Sequence, residues 1–80
     1  MYPVNAYVIR KASESDERSL QRLLALNGGR PLSGSALVGE VRGVVVAAVS
    51  LKDGHVLADR SEAPPALMRM LQMRFHPLET

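Results

Sequence analysis

Two glycine-containing turns on either side of one apolar run constrain the fold of this chain more than any other sequence feature. Arg42-Gly43 precedes residues 44–49, which are all valine or alanine, and Lys52-Asp53-Gly54 follows that run closely. Asp-Gly between apolar runs is a strong hairpin signal because both turn residues adopt positive φ, and Arg-Gly is a weaker version. The spacing predicts an antiparallel meander of three strands at 36–41, 44–51 and 55–59. The middle strand has no polar alternation, so we expect it to be central and covered on both faces.

Strand and helix signals flank this meander. Residues 7–9 are aromatic or β-branched, and together with Arg10 they predict a first strand. Ser13 opens a helix signature with acids in its first turn, and Gly28 follows its last residue. Pro64-Pro65 precedes a second helix over residues 66–75, because proline is favoured in a first helical turn. The predicted fold is therefore α+β, in the order β-α-β-β-β-α, with an antiparallel meander and two helices.

Composition limits the kinds of site that the chain can hold. Its 80 residues form a single domain, 1–80, with a core at about 7–76. The absence of cysteine excludes a disulfide and a thiolate metal site, and neither histidine lies at ligand spacing from another ligand. We therefore predict no metal. A net charge of +2 and 4% aromatic residues argue against a nucleic-acid partner, although a pI near 9.5 leaves a nucleic-acid-binding regulator as one alternative.

The sequence contains no targeting signal or membrane span that we recognise. Its first residues lack a basic segment followed by an apolar stretch. The apolar run at 44–49 is six residues long, whereas a span needs about 20. We expect a cytoplasmic protein without a membrane partner.

The second helix is apolar over an unusually wide arc. A surface helix usually has an apolar arc a little over about 100° wide. Here only Arg69, Gln72 and His76 form a polar stripe, with Arg74 beside it. One face can pack on the sheet, and the remaining apolar side predicts a homodimer or a contact with another protein. Burial in a compact monomer and a membrane-surface helix are the alternatives. The predicted interface residues are Leu67, Met68, Met70, Leu71, Met73 and Phe75.

Two segments resemble the first half of the GNAT N-acetyltransferase superfamily. Val8-Ile9-Arg10-Lys11-Ala12 with Ser15-Asp16 resembles the family's hydrophobic-Ile-Arg-x-Ala opening, which leads into a helix capped near an aspartate. Leu37-Val38-Gly39-Glu40-Val41-Arg42-Gly43, followed by residues 44–48, resembles its valine-alanine-glutamate hairpin. The resemblance covers about residues 7–76 and implies a GNAT-like half-domain. Each motif marks the fold rather than the chemistry.

The resemblance also indicates where a cofactor loop would lie. In the family, Arg or Gln, two residues, Gly, one residue, and Gly or Ala precede a helix and hold the pyrophosphate of acetyl-CoA with backbone N–H groups. Arg60 matches the first position, but Ala63 and Pro65 replace the glycines, and Glu62 adds negative charge. The chain also ends where the family continues with the rest of the cofactor cleft. We therefore expect no cofactor and no catalytic residue, with Arg60 as the single match to an acetyl-CoA contact.

Together these features predict a non-catalytic, GNAT-like small domain that acts through homodimerisation or contact with another protein. The alternative is an enzyme or cofactor binder in which two copies pair. An acyl-CoA site or N-acetyltransferase activity would then be assembled across the dimer.

Overall fold

The chain folds as a four-stranded antiparallel sheet with one helix on each face, in a computed structural model that describes residues 7–74. The strands lie side by side in chain order, which confirms the predicted α+β fold and its β-α-β-β-β-α order. Within these residues no helix is long and apolar enough to cross a membrane. The elements are β1 (Tyr7–Lys11), α1 (Glu17–Asn27), β2 (Ala36–Val41), β3 (Val44–Ser50), β4 (Val56–Ala58) and α2 (Pro65–Arg74), with a 3-10 turn at Glu14–Asp16 before α1.

The turn between β2 and β3 and the end of α1 have the backbone that their residues predict, whereas in the turn after β3 only Gly54, and not Asp53, has a positive φ. Arg42 and Gly43 have φ values of 54° and 80°, as a tight hairpin between β2 and β3 requires. Gly28 ends α1 at φ 71°, and its N–H donates to the Leu24 carbonyl at 2.7 Å. The strand predicted at 55–59 is shorter, because Asp59 already belongs to the turn that leads into α2.

A β-bulge in β3 divides its apolar side chains unevenly between the two faces. Gly39 pairs with Ala47 but Glu40 pairs with Val45, so Val46 is the extra residue. Val46 and Ala47 therefore both join the hydrophobic core under α2, whereas Val45 joins the core under α1. The central strand is buried from Val45 onwards, which confirms that it is covered on both faces.

Each helix covers its own hydrophobic core. The core under α1 contains Leu23, Val38, Val45, Ala48 and Leu57. The core under α2 contains Val46, Ala47, Val49, Ala58, Leu67 and Leu71. On the second face, Gly39 allows α2 to approach the sheet closely. A Cβ atom at Gly39 would lie only 3.0 Å from Cδ1 of Leu67.

The last residue of α1 closes part of the outer edge of β4. Ala58 lies opposite Ala47 between two hydrogen-bonded positions, so its backbone N–H and C=O point away from β3. The side chain of Asn27 takes both groups: its Nδ2 donates to the Ala58 carbonyl at 2.8 Å, and its Oδ1 accepts the Ala58 N–H at 3.4 Å. Nδ2 also donates to the Leu23 carbonyl at 2.7 Å. Asn27 thus ties α1 to this edge as a further strand would.

Candidate functional site

The segment between β4 and α2, where the family resemblance puts a cofactor loop, is closed by its own hydrogen bonds. The Asp59 carbonyl accepts the N–H groups of Glu62 and Ala63 at 2.9 and 2.8 Å. The Asp59 carboxylate accepts the Ser61 N–H at 3.2 Å and the Ser61 hydroxyl at 2.8 Å. The two prolines that follow have no N–H. The backbone donors of residues 61–63 are therefore already used, and a phosphate would have to displace these bonds.

The segment also carries two carboxylates, one of which is paired with an arginine. Hydrogen bonding from the Ser61 hydroxyl, and secondarily from Arg22, lowers the pKa of Asp59 below its ordinary value. Arg22 Nη1 lies 3.1 Å from Asp59 Oδ2, while its Nη2 donates to the Val45 carbonyl at 2.6 Å. Asp59 is therefore ionised at neutral pH, and the carboxylate of Glu62 is exposed three residues further on.

A groove of about 510 Å³ opens beside this segment, between β4 and α2. Arg60 lines it, so the single predicted acetyl-CoA contact does face a cavity. Its apolar wall includes Val56 and Met68, and Arg69 adds a second cation. The groove combines cationic groups with apolar surface, but the neighbouring loop donates no free N–H from residues 61–63.

The structure divides five of the six predicted interface residues into three groups. The prediction is wrong for Leu67 and Leu71, because both are fully buried against the sheet and form part of the protein's own core. Met68 is half-buried and packs against that core. Met70 and Met73 are exposed, at 39% and 70%. The sixth residue, Phe75, lies outside the described residues.

The exposed methionines form a defined surface, which we call the outer face of α2. At about 3.6 residues per turn, Met70 and Met73 lie on one side of the helix, away from the groove that Met68 lines. Arg69 and Arg74 flank this stripe on its two sides, and both are exposed. Neither arginine forms an ion pair within residues 7–74. The outer face of α2 is thus apolar at its centre and cationic at its borders.

A second surface has the opposite charge, and we call it the acidic cleft. It lies between α1 and the loop that follows it, on the face of the sheet opposite α2, with a volume of about 480 Å³. The exposed carboxylates of Glu14, in the 3-10 turn, and Glu17, in the first turn of α1, lie at its border. Neither forms an ion pair within the described range. The residues that matter here are Glu14, Glu17, Leu20, Leu24, Pro31 and Leu32.

The strongest electrostatic cluster in residues 7–74 joins β1, β2 and the start of α1. Arg10 Nη1 and Nη2 donate to the two carboxylate oxygens of Asp16, each at 2.8 Å, and Arg10 Nε donates to Glu40 Oε2 at 2.8 Å. Asp16 also accepts the Ser13 N–H at 2.7 Å. The hydrogen bonds from Arg10, followed by that from Ser13, hold the pKa of the buried Asp16 carboxyl well below its usual range. Hydrogen bonding to Asp16, then to Glu40, raises the pKa of Arg10.

This cluster has a structural role, because its hydrogen-bonding groups are bound to one another and fasten the start of α1 to the sheet. Sequence reasoning missed it. The Ser13 helix signature indicates a cap that includes Asp16, but Glu40 is 30 residues away from Arg10 along the chain. Only the pairing of β1 with β2 brings these side chains together, since Arg10 lies opposite Val38, two residues from Glu40.

Ser50 is the other buried polar residue of the described range, and its hydroxyl is also fully used. Its Oγ donates to the Ser33 carbonyl at 2.8 Å and accepts the Lys52 N–H at 3.1 Å. It therefore joins the loop before β2 to the turn after β3. This bonding leaves no hydroxyl proton directed at a cavity.

Comparison with known proteins finds no match to a family model, a curated protein or a solved structure. The GNAT resemblance therefore stays a prediction that depends on the motifs in residues 8–16 and 37–48.

Proposed function

We propose that this protein is a small, non-catalytic GNAT-like domain that acts through self-association, as a homodimer in its simplest form, or through contact with a partner protein. The observation that carries the proposal is the exposure of Met70 and Met73 side by side on the outer face of α2. Removing apolar surface from water contributes about 25 cal/mol per Å². Methionine adapts its shape to an opposing surface, which suits such a contact.

The segment before α2 supports a non-catalytic role. Its Asp59 carbonyl and carboxylate bind the donors of residues 61–63, which an anionic cofactor would need. The exposed carboxylate of Glu62, which forms no ion pair within residues 7–74, would repel phosphate groups placed there.

The test is a Met70→Lys substitution. A charge at the centre of a contact has to be desolvated, so we expect the variant to be monomeric at micromolar concentrations at which the natural protein associates. Leu26→Lys is the matched control, because Leu26 is 58% exposed on the other helix and should leave the mass in solution unchanged. Sedimentation velocity gives the mass and circular dichroism the fold. A folded Met70→Lys protein with an unchanged mass would contradict the proposal.

The groove beside Arg60 favours one second candidate, an acyl-CoA site assembled across a dimer. A ligand at about 100 times its dissociation constant adds about 2.7 kcal/mol of stability. For a domain of this size that shifts the melting temperature by about 10 °C or more. Such a shift with millimolar acetyl-CoA, reduced in Arg60→Ala, would establish this candidate. An unchanged melting temperature would eliminate it.

A further inference from the structure

We infer that the acidic cleft of a second copy of this chain covers the outer face of α2, so that copies associate head to tail. This inference rests on the proposed self-association and specifies the opposing surface. The outer face of α2 has an apolar centre between two arginines, and the acidic cleft has an apolar floor beside two glutamates.

The charges on α2 disfavour the simplest alternative, in which two α2 helices pack against each other. A symmetric contact would bring Arg69 and Arg74 of both copies to one interface. The helix, Pro65–Arg74, contains no carboxylate that could compensate them. Like charges placed together at an interface cost several kcal/mol, so the methionines need an opposing surface with negative charge.

The acidic cleft supplies both properties that this surface requires. Glu14 and Glu17 provide two carboxylates to match the two arginines, and neither is committed to an ion pair within residues 7–74. Leu20, Leu24 and Leu32 are partly buried and provide an apolar floor in a cleft of about 480 Å³. Methionine side chains, which are unbranched, can enter such an irregular cavity.

The positions of the two surfaces determine the kind of assembly. The acidic cleft and α2 lie on opposite faces of the sheet, since the cleft includes Leu57 of the core under α1. One copy therefore cannot present both surfaces to the same partner across a two-fold axis. The contact is heterologous, so a pair of copies leaves one surface of each kind free and further copies can add to it.

Charge reversal tests this directly. One variant carries Arg69→Glu and Arg74→Glu on the outer face, and the other carries Glu14→Arg and Glu17→Arg in the cleft. Each variant alone presents like charges at every junction, so its self-association should weaken at least about tenfold. In an equimolar mixture, the outer face of each variant meets the cleft of the other, and both of these contacts pair opposite charges. Association should then return to the natural level. Glu62→Arg, an exposed acid that does not line the cleft, is the control.

Sedimentation velocity over a concentration series separates the outcomes. If the cleft variant associates like the natural protein, or if the mixture stays monomeric, the inference is wrong although self-association through α2 stands. If the natural protein is monomeric, both fail. Arginine at the start of α1 also opposes the helix dipole. Should that variant not fold, the double variant Glu14→Gln with Glu17→Gln takes its place. Weaker association of this variant, together with unchanged association of Glu62→Gln, supports the inference. Unchanged association of the double variant refutes it.

Discussion

The contact between Gly39 and Leu67 sets how closely α2 approaches the sheet, and it can be tested by substitution. A Cβ atom at Gly39 would lie 3.0, 3.1 and 3.2 Å from Cδ1, Cδ2 and Cγ of Leu67. Favourable carbon–carbon contacts lie at about 3.5–4.0 Å, so α2 or its leucine has to move. Leu67 is fully buried and cannot turn towards water. The backbone at Gly39 does not have a positive φ, so the main chain tolerates alanine.

The expected magnitude follows from two opposing effects. Overpacking a core costs about 1–3 kcal/mol. Replacing glycine by alanine recovers about 0.4–1 kcal/mol, because it restricts the unfolded chain. Gly39→Ala should therefore lower the free energy of unfolding by about 1 kcal/mol. In a Leu67→Ala background the added methyl group has no side chain to meet and fills part of the cavity. There the same substitution should be neutral or stabilising.

Urea denaturation of the four proteins in this double-mutant cycle measures the coupling between the two positions. We expect about 1–2 kcal/mol, within the usual range for residues in contact. Leu71→Ala is the control, because Leu71 is equally buried on the same helix while the three atoms nearest the added Cβ all belong to Leu67. If Gly39→Ala costs the same in all three backgrounds, the close approach of α2 over Gly39 is refuted. Leu67→Val can replace Leu67→Ala if the latter is too unstable to measure.

Three further predictions concern the polar contacts. Because the pKa of Asp16 is lower in the folded protein than its value of about 3.9 in the unfolded chain, its ionised carboxylate stabilises the fold at neutral pH, and this stabilisation is lost as the pH falls below about 4. In Asp16→Asn, urea denaturation should therefore show a smaller loss of stability below about pH 4. Asn27→Asp removes the Nδ2 donor to the Ala58 carbonyl but keeps an acceptor for the Ala58 N–H, and it should cost about 1–3 kcal/mol in urea denaturation with an unchanged fold by circular dichroism. Ser50→Ala should lower stability by about 1–2 kcal/mol in thermal melts, because it leaves the Ser33 carbonyl without its donor, and an unchanged melting temperature would show that this bond contributes nothing.

The local signals were sufficient to predict the elements. Arg42-Gly43 and the glycine after Asn27 adopt the positive φ values that their turns need, and β2 spans the predicted residues 36–41. Turn chemistry acts over two or three residues, so it can be read without knowing the rest of the fold. This is why the order of strands and helices was predicted.

The features that depend on distant residues were not predictable in the same way. The bulge at Val46 lies inside a run of valine and alanine, where no change of polarity marks which side chain faces which helix. The wide apolar arc of α2 also concealed that Leu67 and Leu71 pack against the sheet while Met70 and Met73 do not. Hydrophobicity alone does not separate a side chain that meets its own core from one that meets another surface.

The amide of Asn27 gives the protein a chemical weakness that its fold conceals. Glycine has no side chain to hinder its backbone nitrogen, so in a flexible Asn27-Gly28 segment that nitrogen can attack the side-chain carbonyl carbon of the asparagine. This forms a cyclic imide and releases ammonia, and water then opens the imide to a carboxylate. In the folded protein the Gly28 N–H is bound to Leu24, and the amide is held by the carbonyls of Leu23 and Ala58. Deamidation should therefore proceed through the unfolded state. It leaves a carboxylate, which only accepts hydrogen bonds, facing two carbonyl oxygens. Each molecule altered in this way refolds without the hydrogen bond from residue 27 to the Ala58 carbonyl, so it is less stable and unfolds again more easily.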